Sequence, residues 1–512
     1  MLKKLFAPID LTKGKIYQVI LVFMAPIFLS YIFQQVYTLT DAIIVGQNLS
    51  ASEVNGVNDV GSLTYIVLQF AYGCAAGFSV VSSASQGNKD LDGVRKSFLV
   101  QIILSLIISI ILTILAVSLI DPMLSLVGLN AATGGSTYQA AKTYIFIIFL
   151  GTICQVAYNQ ICSLLRSIGD SITPLLFLIA STILNIVLDI VFIVNCNWGV
   201  AGAAFATILA QGISALLCYI YTFIKYPYLR FKKEDFKINW KFYGEHLKLG
   251  LPLAFQFSIL AIGLITLQST IIKFDTTAAG IVIENGPAQL AYGAANKVST
   301  FLMTPLNALG TAMLSYCGQN YGAKEYKRVK KGILTAIVIM FIIYFIDLAI
   351  ALLLLIDDAY LKLFYAADSI SEKTSYLGRI NIFCTVPFFP LVGTLYILRC
   401  SIQGFEKPIV PFCAGIGELL ARTLLCLFGP LIFVASINTS IDLYANPGSY
   451  IITCLADPFA WLIATTILSV GYLIVIYLPI RKAEKNEKEK VLIEQPSENI
   501  ENTDTNNKQK TL

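Results

Sequence analysis

The sequence predicts an all-α polytopic membrane protein, with about twelve transmembrane helices in two six-helix bundles related by a pseudo-two-fold axis along the membrane normal. Three observations predict it. Hydrophobic residues make up 56% of the chain and charged residues only 13%, against about 25% charged in a soluble domain. The apolar residues fall in runs long enough to cross a bilayer core of about 30 Å. Basic residues alternate from one connection to the next, and short stretches of the first half recur in order in the second.

The first span, residues 17–45, reads YQVILVFMAPIFLSYIFQQVYTLTDAIIV. As a helix it would run roughly 40 Å. Asp41 therefore lies in or near the membrane, where an unpaired charge costs at least ~2.5 kcal/mol. Gln34, Tyr37 and Asp41 share one helical face and form a polar seam. Pro26 removes a backbone donor one to two turns earlier and strains the helix, which predicts a bend there.

Further spans are predicted near residues 60–84, 97–120, 143–165, 174–194 and 200–224, then 247–272, 288–316, 332–356, 376–399, 409–434 and 451–479. Lys89, Arg95 and Lys96 follow the second span, six basic residues from Lys225 to Lys241 follow the sixth, five from Lys324 to Lys331 follow the eighth, and Arg481 and Lys482 follow the last. The intervening connections hold few. This asymmetry places both termini in the cytoplasm and the chain in the plasma membrane. The expected layout is a cytoplasmic segment 1–16, an N-terminal bundle 17–224, a linker 225–246, a C-terminal bundle 247–480 and a disordered tail 481–512. Nothing before the first span reads as a cleavable signal.

The halves repeat. SQGNKDLDGVRK from Ser85 faces GQNYGAKEYKRVKK from Gly318, LLRSIGDSITP from Leu164 faces LRCSIQGFEKP from Leu398, and GVNDV from Gly56 faces AANKV from Ala294. Both halves begin on the same side, so the repeat is parallel and leaves a cleft between like bundles.

Two carboxylates, Asp41 and Asp189, fall within predicted spans of the first half, with no lysine or arginine assigned there to neutralise them. Such a pair must share a proton or bind an ion. Asn185 and Asp189 are i, i+4 on span five; span six carries Thr207, and span four carries Tyr144 and Asn159. Their oxygens would complete a cage suited to a proton or to sodium. In the second half the matching span has Glu418 and Arg422, which read as a self-neutralised packing pair. Asp347 stands alone, Lys297 is expected to snorkel, and Asp457 before Pro458 reads as a helix start. Phe33, Gln34, Tyr37 and Tyr65 are candidates to line the cleft and stack on flat or cationic molecules.

Several classes are disfavoured. One histidine, His246, leaves no basis for a histidine relay or a His-based metal site. The eleven cysteines lie mostly inside apolar runs and read as packing residues. The basic residues cluster at span ends, which gives no surface for nucleic acid. No cluster of His, Cys or acids suits a membrane enzyme, and a channel fits a bundle-internal acid pair less well than alternating access does.

The proline-then-aspartate first span, RSIGDSITP with SIQGFEKP, the paired SQGN and GQNYGAK loops, and GELLAR resemble the multidrug and toxic compound extrusion (MATE) family over nearly the whole chain to about residue 480. The resemblance implies two six-helix bundles in a V that alternates between inward- and outward-open. In the DinF-like branch a cation or proton site lies in the first bundle. Carried over, it would be Asp41, Asn185, Asp189 and Thr207, with Tyr144 and Asn159 in the surrounding network and Pro26 as hinge. The other main branch uses a glutamate in span seven; here LAFQFSILAIG has no acid. The implied activity is antiport of amphipathic or cationic small molecules against protons or sodium, with no other cofactor, by a monomer in the lipid bilayer. A flippase for a lipid-linked sugar is the alternative, weakened by the few intramembrane cations, Arg422 and Lys297.

Overall fold

The structure, a computed structural model, describes residues 7–129, 135–237, 239–276, 286–366, 370–437, 446–482 and 484–485. Most of the expected tail lies outside the described residues. The helices are α1 Ile16–Asn48, α2 Ala51–Gly87, α3 Leu91–Ser118, α4 formed by Gly135–Leu150 and Thr152–Ser167, α5 Ile172–Asn195, α6 Gly199–Lys225, α7 Trp240–Asp275, α8 Pro287–Gly322, α9 Tyr326–Lys362, α10 Glu372–Gly404, α11 Ile409–Ile437 and α12 Pro447–Lys482. Ten of these are long and apolar enough to cross a bilayer, and α4, bent by 47° at its break, is an eleventh. At 36 residues α8 is also long enough to cross. It is less apolar because much of it, from Ala288 to Asn320, is buried in protein. Elsewhere the exposed faces are apolar: Ile107, Ile111 and Ile114 on α3, and Val338, Ile342 and Phe345 on α9, point outward. Such faces need lipid as solvent.

The repeated loops fold alike. Past the end of α2, Asp90 N–H donates to Ser85 O at 3.0 Å around a left-handed Lys89 (φ 59°). Past α8, Glu325 N–H donates to Asn320 O at 2.8 Å around Lys324, also at φ 59°. The ends of α4 and α10 match in the same way: Asp170 N–H to Leu165 O at 2.8 Å around Gly169 (φ 91°), and Lys407 N–H to Ile402 O at 3.2 Å around Glu406 (φ 59°). Each is the six-to-one closure that satisfies a helix's last carbonyls.

The bundles meet in backbone contact at the end that carries the basic loops. A Cβ on Gly87 of α2 would lie 1.8 Å from Gln319 O of α8, and one on Gly322 of α8 would lie 1.9 Å from Ala84 O of α2. The two contacts exchange roles, as a two-fold axis between them requires. Gly73 and Gly77 also let α2 approach the backbone of α7, where a Cβ would lie 2.6 Å from Ala254 Cα and 2.5 Å from Gly250 Cα.

The first helix of each half is swapped onto the other. While α7 packs chiefly along α2, α1 packs along α8. Ile20, Phe23, Met24 and Ile27, in the first half of α1, are buried in one cluster with Leu302, Leu306, Leu309 and Met313 of α8. Val45, near the other end of α1, is buried with Ile193 and Ala203 of the first bundle. Thus α1 begins in one bundle's core and ends in the other's. It is one unbroken helix through Pro26, and Ser30 Oγ donates to Pro26 O at 2.8 Å.

The linker is ordered in its described part and docks on the first bundle. Lys225 Nζ meets Asp170 Oδ2 at 2.8 Å, and Arg95 Nε meets Asp235 Oδ2 at 2.7 Å. His246, expected in a basic segment, is instead buried in α7, with Nε2 2.7 Å from Ser97 Oγ and Nδ1 2.9 Å from Phe242 O.

Candidate functional site

Asp41 comes from the last third of α1 and Asp189 from α5. A π-helical stretch, Ile190–Asn195, follows Asp189 directly. Such stretches shift the register of a helix and often mark functional positions. The two carboxyl groups lie against each other within hydrogen-bonding reach. Asp189 is fully buried and Asp41 half-buried. Oδ1 of each has no hydrogen-bond partner among the described residues, and neither acid is ion-paired there. Two anions in contact would repel at several kcal/mol or more in a low dielectric, so a shared proton, which leaves one net negative charge, is the simplest arrangement that removes the repulsion.

The surrounding groups converge from four helices. Asn185, oriented to satisfy both neighbours, donates from Nδ2 to Asp189 Oδ2 at 3.0 Å and accepts Thr207 N–H at 3.3 Å. Tyr37, one turn before Asp41, donates to Thr207 Oγ1 at 3.4 Å. Tyr144 on α4 lies close to Asp41, Tyr37 and Asp189. The structure thus brings together Asp41, Asn185, Asp189, Thr207, Tyr37 and Tyr144. Asn159 is not drawn in; its Nδ2 donates to Gln155 O of its own helix at 3.0 Å. Phe33 is half-buried and Gln34 exposed on α1; Tyr65 is exposed on α2, near Tyr396 of α10.

A family model described as MatE matches residues 26–191 and 266–428, more than half the chain and both halves of the repeat. The chain belongs to the MatE family. It is 29% identical over 321 residues to the probable multidrug resistance protein YpnP of Bacillus subtilis, covering 62% of this chain and 68% of that one. It is 23% identical over 439 residues to the probable multidrug resistance protein YoeA of the same organism, covering 84% and 89%. Its fold matches a solved outward-facing multidrug resistance MATE family transporter of the MOP superfamily with a TM-score of 0.75 at 24% identity, over 90% of this chain and 98% of that one.

In this MatE chain the second bundle is charged differently. The pair read as Glu418–Arg422 is part of a four-residue network. Glu418 Oε1 meets Arg422 Nη2 at 3.1 Å and Glu418 Oε2 meets Arg399 Nη2 at 2.6 Å, while Arg422 Nε meets Asp457 Oδ1 at 2.6 Å. Asp457 does stand in the first turn after the break in α12, yet its carboxylate serves Arg422. The network borders a small polar cavity lined in part by Asp457, Asn296, Ser299, Asn381 and Thr385. Asp347 is 4% exposed, and its Oδ2 has no partner among the described residues. Lys297 places Nζ 5.0 Å from the centroid of the Phe364 ring.

Arg166 falls just past the predicted span 143–165 and Arg399 at the end of the predicted span 376–399; both lie within helices, α4 and α10. The MatE helices simply run one turn further than the apolar runs do. Arg166 sits in the first bundle yet pairs with neither Asp41 nor Asp189, so the acid pair keeps no fixed cation.

Proposed function

We propose that this MatE protein is a secondary active exporter of amphipathic organic molecules, driven by protons entering at Asp41 and Asp189, with alternating access between the bundles. The observation that carries this reading is the placement of the acid pair. Asp41 belongs to a helix whose other half is packed in the second bundle, so a change at the pair acts on both bundles through one rigid element. Protonation removes the repulsion between the carboxylates, and loss of the proton restores it. An ion biases two states only by its difference in affinity between them, and one unit of pKa difference is worth about 1.4 kcal/mol. Sodium would need oxygen ligands in place of that contact, and the Asn185 oxygen is already engaged by Thr207 N–H. That favours the proton and the DinF-like arrangement. On this reading both termini are cytoplasmic, the basic-loop end is the closed inner end, and the monomer in the plasma membrane is the working unit.

The test is transport of a fluorescent amphipathic cation in proteoliposomes with pH and sodium gradients imposed separately. The pH gradient should drive export, and Asp41→Asn and Asp189→Asn should each lower it to background. Undiminished export by both variants would remove the mechanism, and export driven by sodium alone would reassign the ion.

A further inference from the structure

One half-buried cation of the first bundle has no anion among the described residues. The guanidinium of Arg166 sits among Tyr31 of α1, Tyr72 of α2, and Tyr158 and Cys162 of α4. Its Nε is buried without an acceptor, and its side chain makes no hydrogen bond or ion pair among the described residues. The fully buried arginines behave otherwise: Arg95, Arg399 and Arg422 all hold carboxylates. A guanidinium whose Nε is closed off from water and faces no carboxylate keeps hydrogen-bonding capacity unspent, and this asymmetry demands an explanation.

Arg166 is also placed between the bundles. Tyr31 Oη lies 2.9 Å from Thr311 Oγ1 of α8 and 3.4 Å from Tyr72 Oη, so the hydroxyls beside the guanidinium bridge α1, α2 and α8. Along α4, Gln155, Asn159, Cys162 and Arg166 recur at helical spacing on one face. Gln155 Nε2 is a second buried donor on that face without a partner. Spare donors and a spare positive charge on one face, with tyrosine hydroxyls beside them, are what a carboxylate or phosphate oxygen requires.

We infer that the Arg166 face of α4 binds an anionic group, so the molecules this protein moves include ones bearing a carboxylate or phosphate beside an apolar or cationic body. This deepens the exporter reading and rests on it. The acid pair handles the driving proton, while Arg166 selects cargo. Uncharged and purely cationic cargo gains nothing from this residue.

The experiment is equilibrium binding to the purified full chain in neutral maltoside micelles, read by fluorescence anisotropy, with two dyes: a carboxy-rhodamine zwitterion and its methyl ester. They differ only in the anionic group. Arg166→Gln should weaken the carboxy dye about tenfold to a hundredfold and leave the ester unchanged, as for loss of a charge-assisted pair. Arg166→Lys should retain part of the affinity, because charge survives while the planar fork is lost. Competition by sodium phosphate against the carboxy dye alone would point to free anions, and competition only by a short-chain phosphatidylglycerol to lipid headgroups; both support the site. Equal weakening of the two dyes, or no weakening of the carboxy dye, overturns the inference, as does failure of the wild type to bind that dye. None of these outcomes touches the exporter reading, which stands or falls on the gradient assay.

Discussion

The two bundles hold acids in opposite ways. In the first, Asp41 and Asp189 lie against each other with no fixed cation. In the second, Glu418 and Asp457 are bound by Arg399 and Arg422 at 2.6 to 3.1 Å. One fold thus carries an acid pair with no cation beside it among the described residues and a counterpart that has its positive charges built into the chain. The difference teaches why a repeat can be symmetric in backbone and asymmetric in action. The loops after α2 and α8 close identically, yet the paired acids of the first bundle lack the arginines that hold Glu418 and Asp457 in the second.

The largest expected effect comes from breaking the second network. Arg399→Met leaves Glu418 half-neutralised while buried, and removing one partner of a buried pair costs about 3–5 kcal/mol. The melting temperature of the detergent-purified protein should fall sharply. Asp189→Asn should not lower it, because it removes a buried acid that has no cation. A fall of equal size in both variants would erase the distinction between the bundles.

A smaller effect sharpens the same point. Glu418→Gln combined with Arg422→Gln should be less harmful than the sum of the two single changes, with a coupling of about 1–3 kcal/mol from thermal melts. Charges that belong to one network should couple. Asp41→Asn combined with Glu418→Gln, from different bundles, should be additive within about 0.5 kcal/mol. Coupling between those two would mean that the bundles are not independently charged.

Much of this was legible in the sequence. The apolar runs located every helix, and SQGNKDLDG against GQNYGAKEYK located a repeat whose left-handed Lys89 and Lys324 coincide. The acids Asp41 and Asp189, with Asn185 at i, i+4, stood out because intramembrane carboxylates are rare. Three features were hidden. The exchange of α1 and α7 between bundles is a long-range packing choice, and the apolar residues of α1 would have satisfied either bundle. Arg166 fell just outside its predicted span because hydropathy ends a span before the helix ends. The partners of Glu418 and Arg422 lie on α10 and α12, and spacing along α11 says nothing about them. Pro26, where the sequence predicts a bend, lies inside one continuous helix.

Within the first bundle, Tyr37→Phe tests how far the site depends on its outer oxygens. The bond from Tyr37 to Thr207 is 3.4 Å long, and a neutral bond of this kind contributes about 0.5–1.5 kcal/mol at most. Gradient-driven export should fall by less than about tenfold, well short of the loss expected for Asp41→Asn. A loss as complete as that of the aspartate variant would make Tyr37 part of the ion-binding group and redraw the site around it.

The smallest effect concerns the pair that ties the linker to the first bundle. Arg95 and Asp235 are both buried, joined through Nε–Oδ2 at 2.7 Å and Nη2–Oδ1 at 3.1 Å. The Arg95 guanidinium holds the Asp235 carboxyl below its ordinary value of 3.8. An acid whose pKa falls on folding stabilises the folded state above its unfolded value, and that contribution is lost as pH drops through the folded value. Melting temperature should therefore decline as pH is taken below about 4, and Asp235→Asn should be less stable at neutral pH but show a shallower decline. The difference between the two pH profiles isolates this pair from the other carboxylates. If the profiles run parallel, the linker pair contributes nothing that depends on charge, and its place between the bundles is a matter of packing alone.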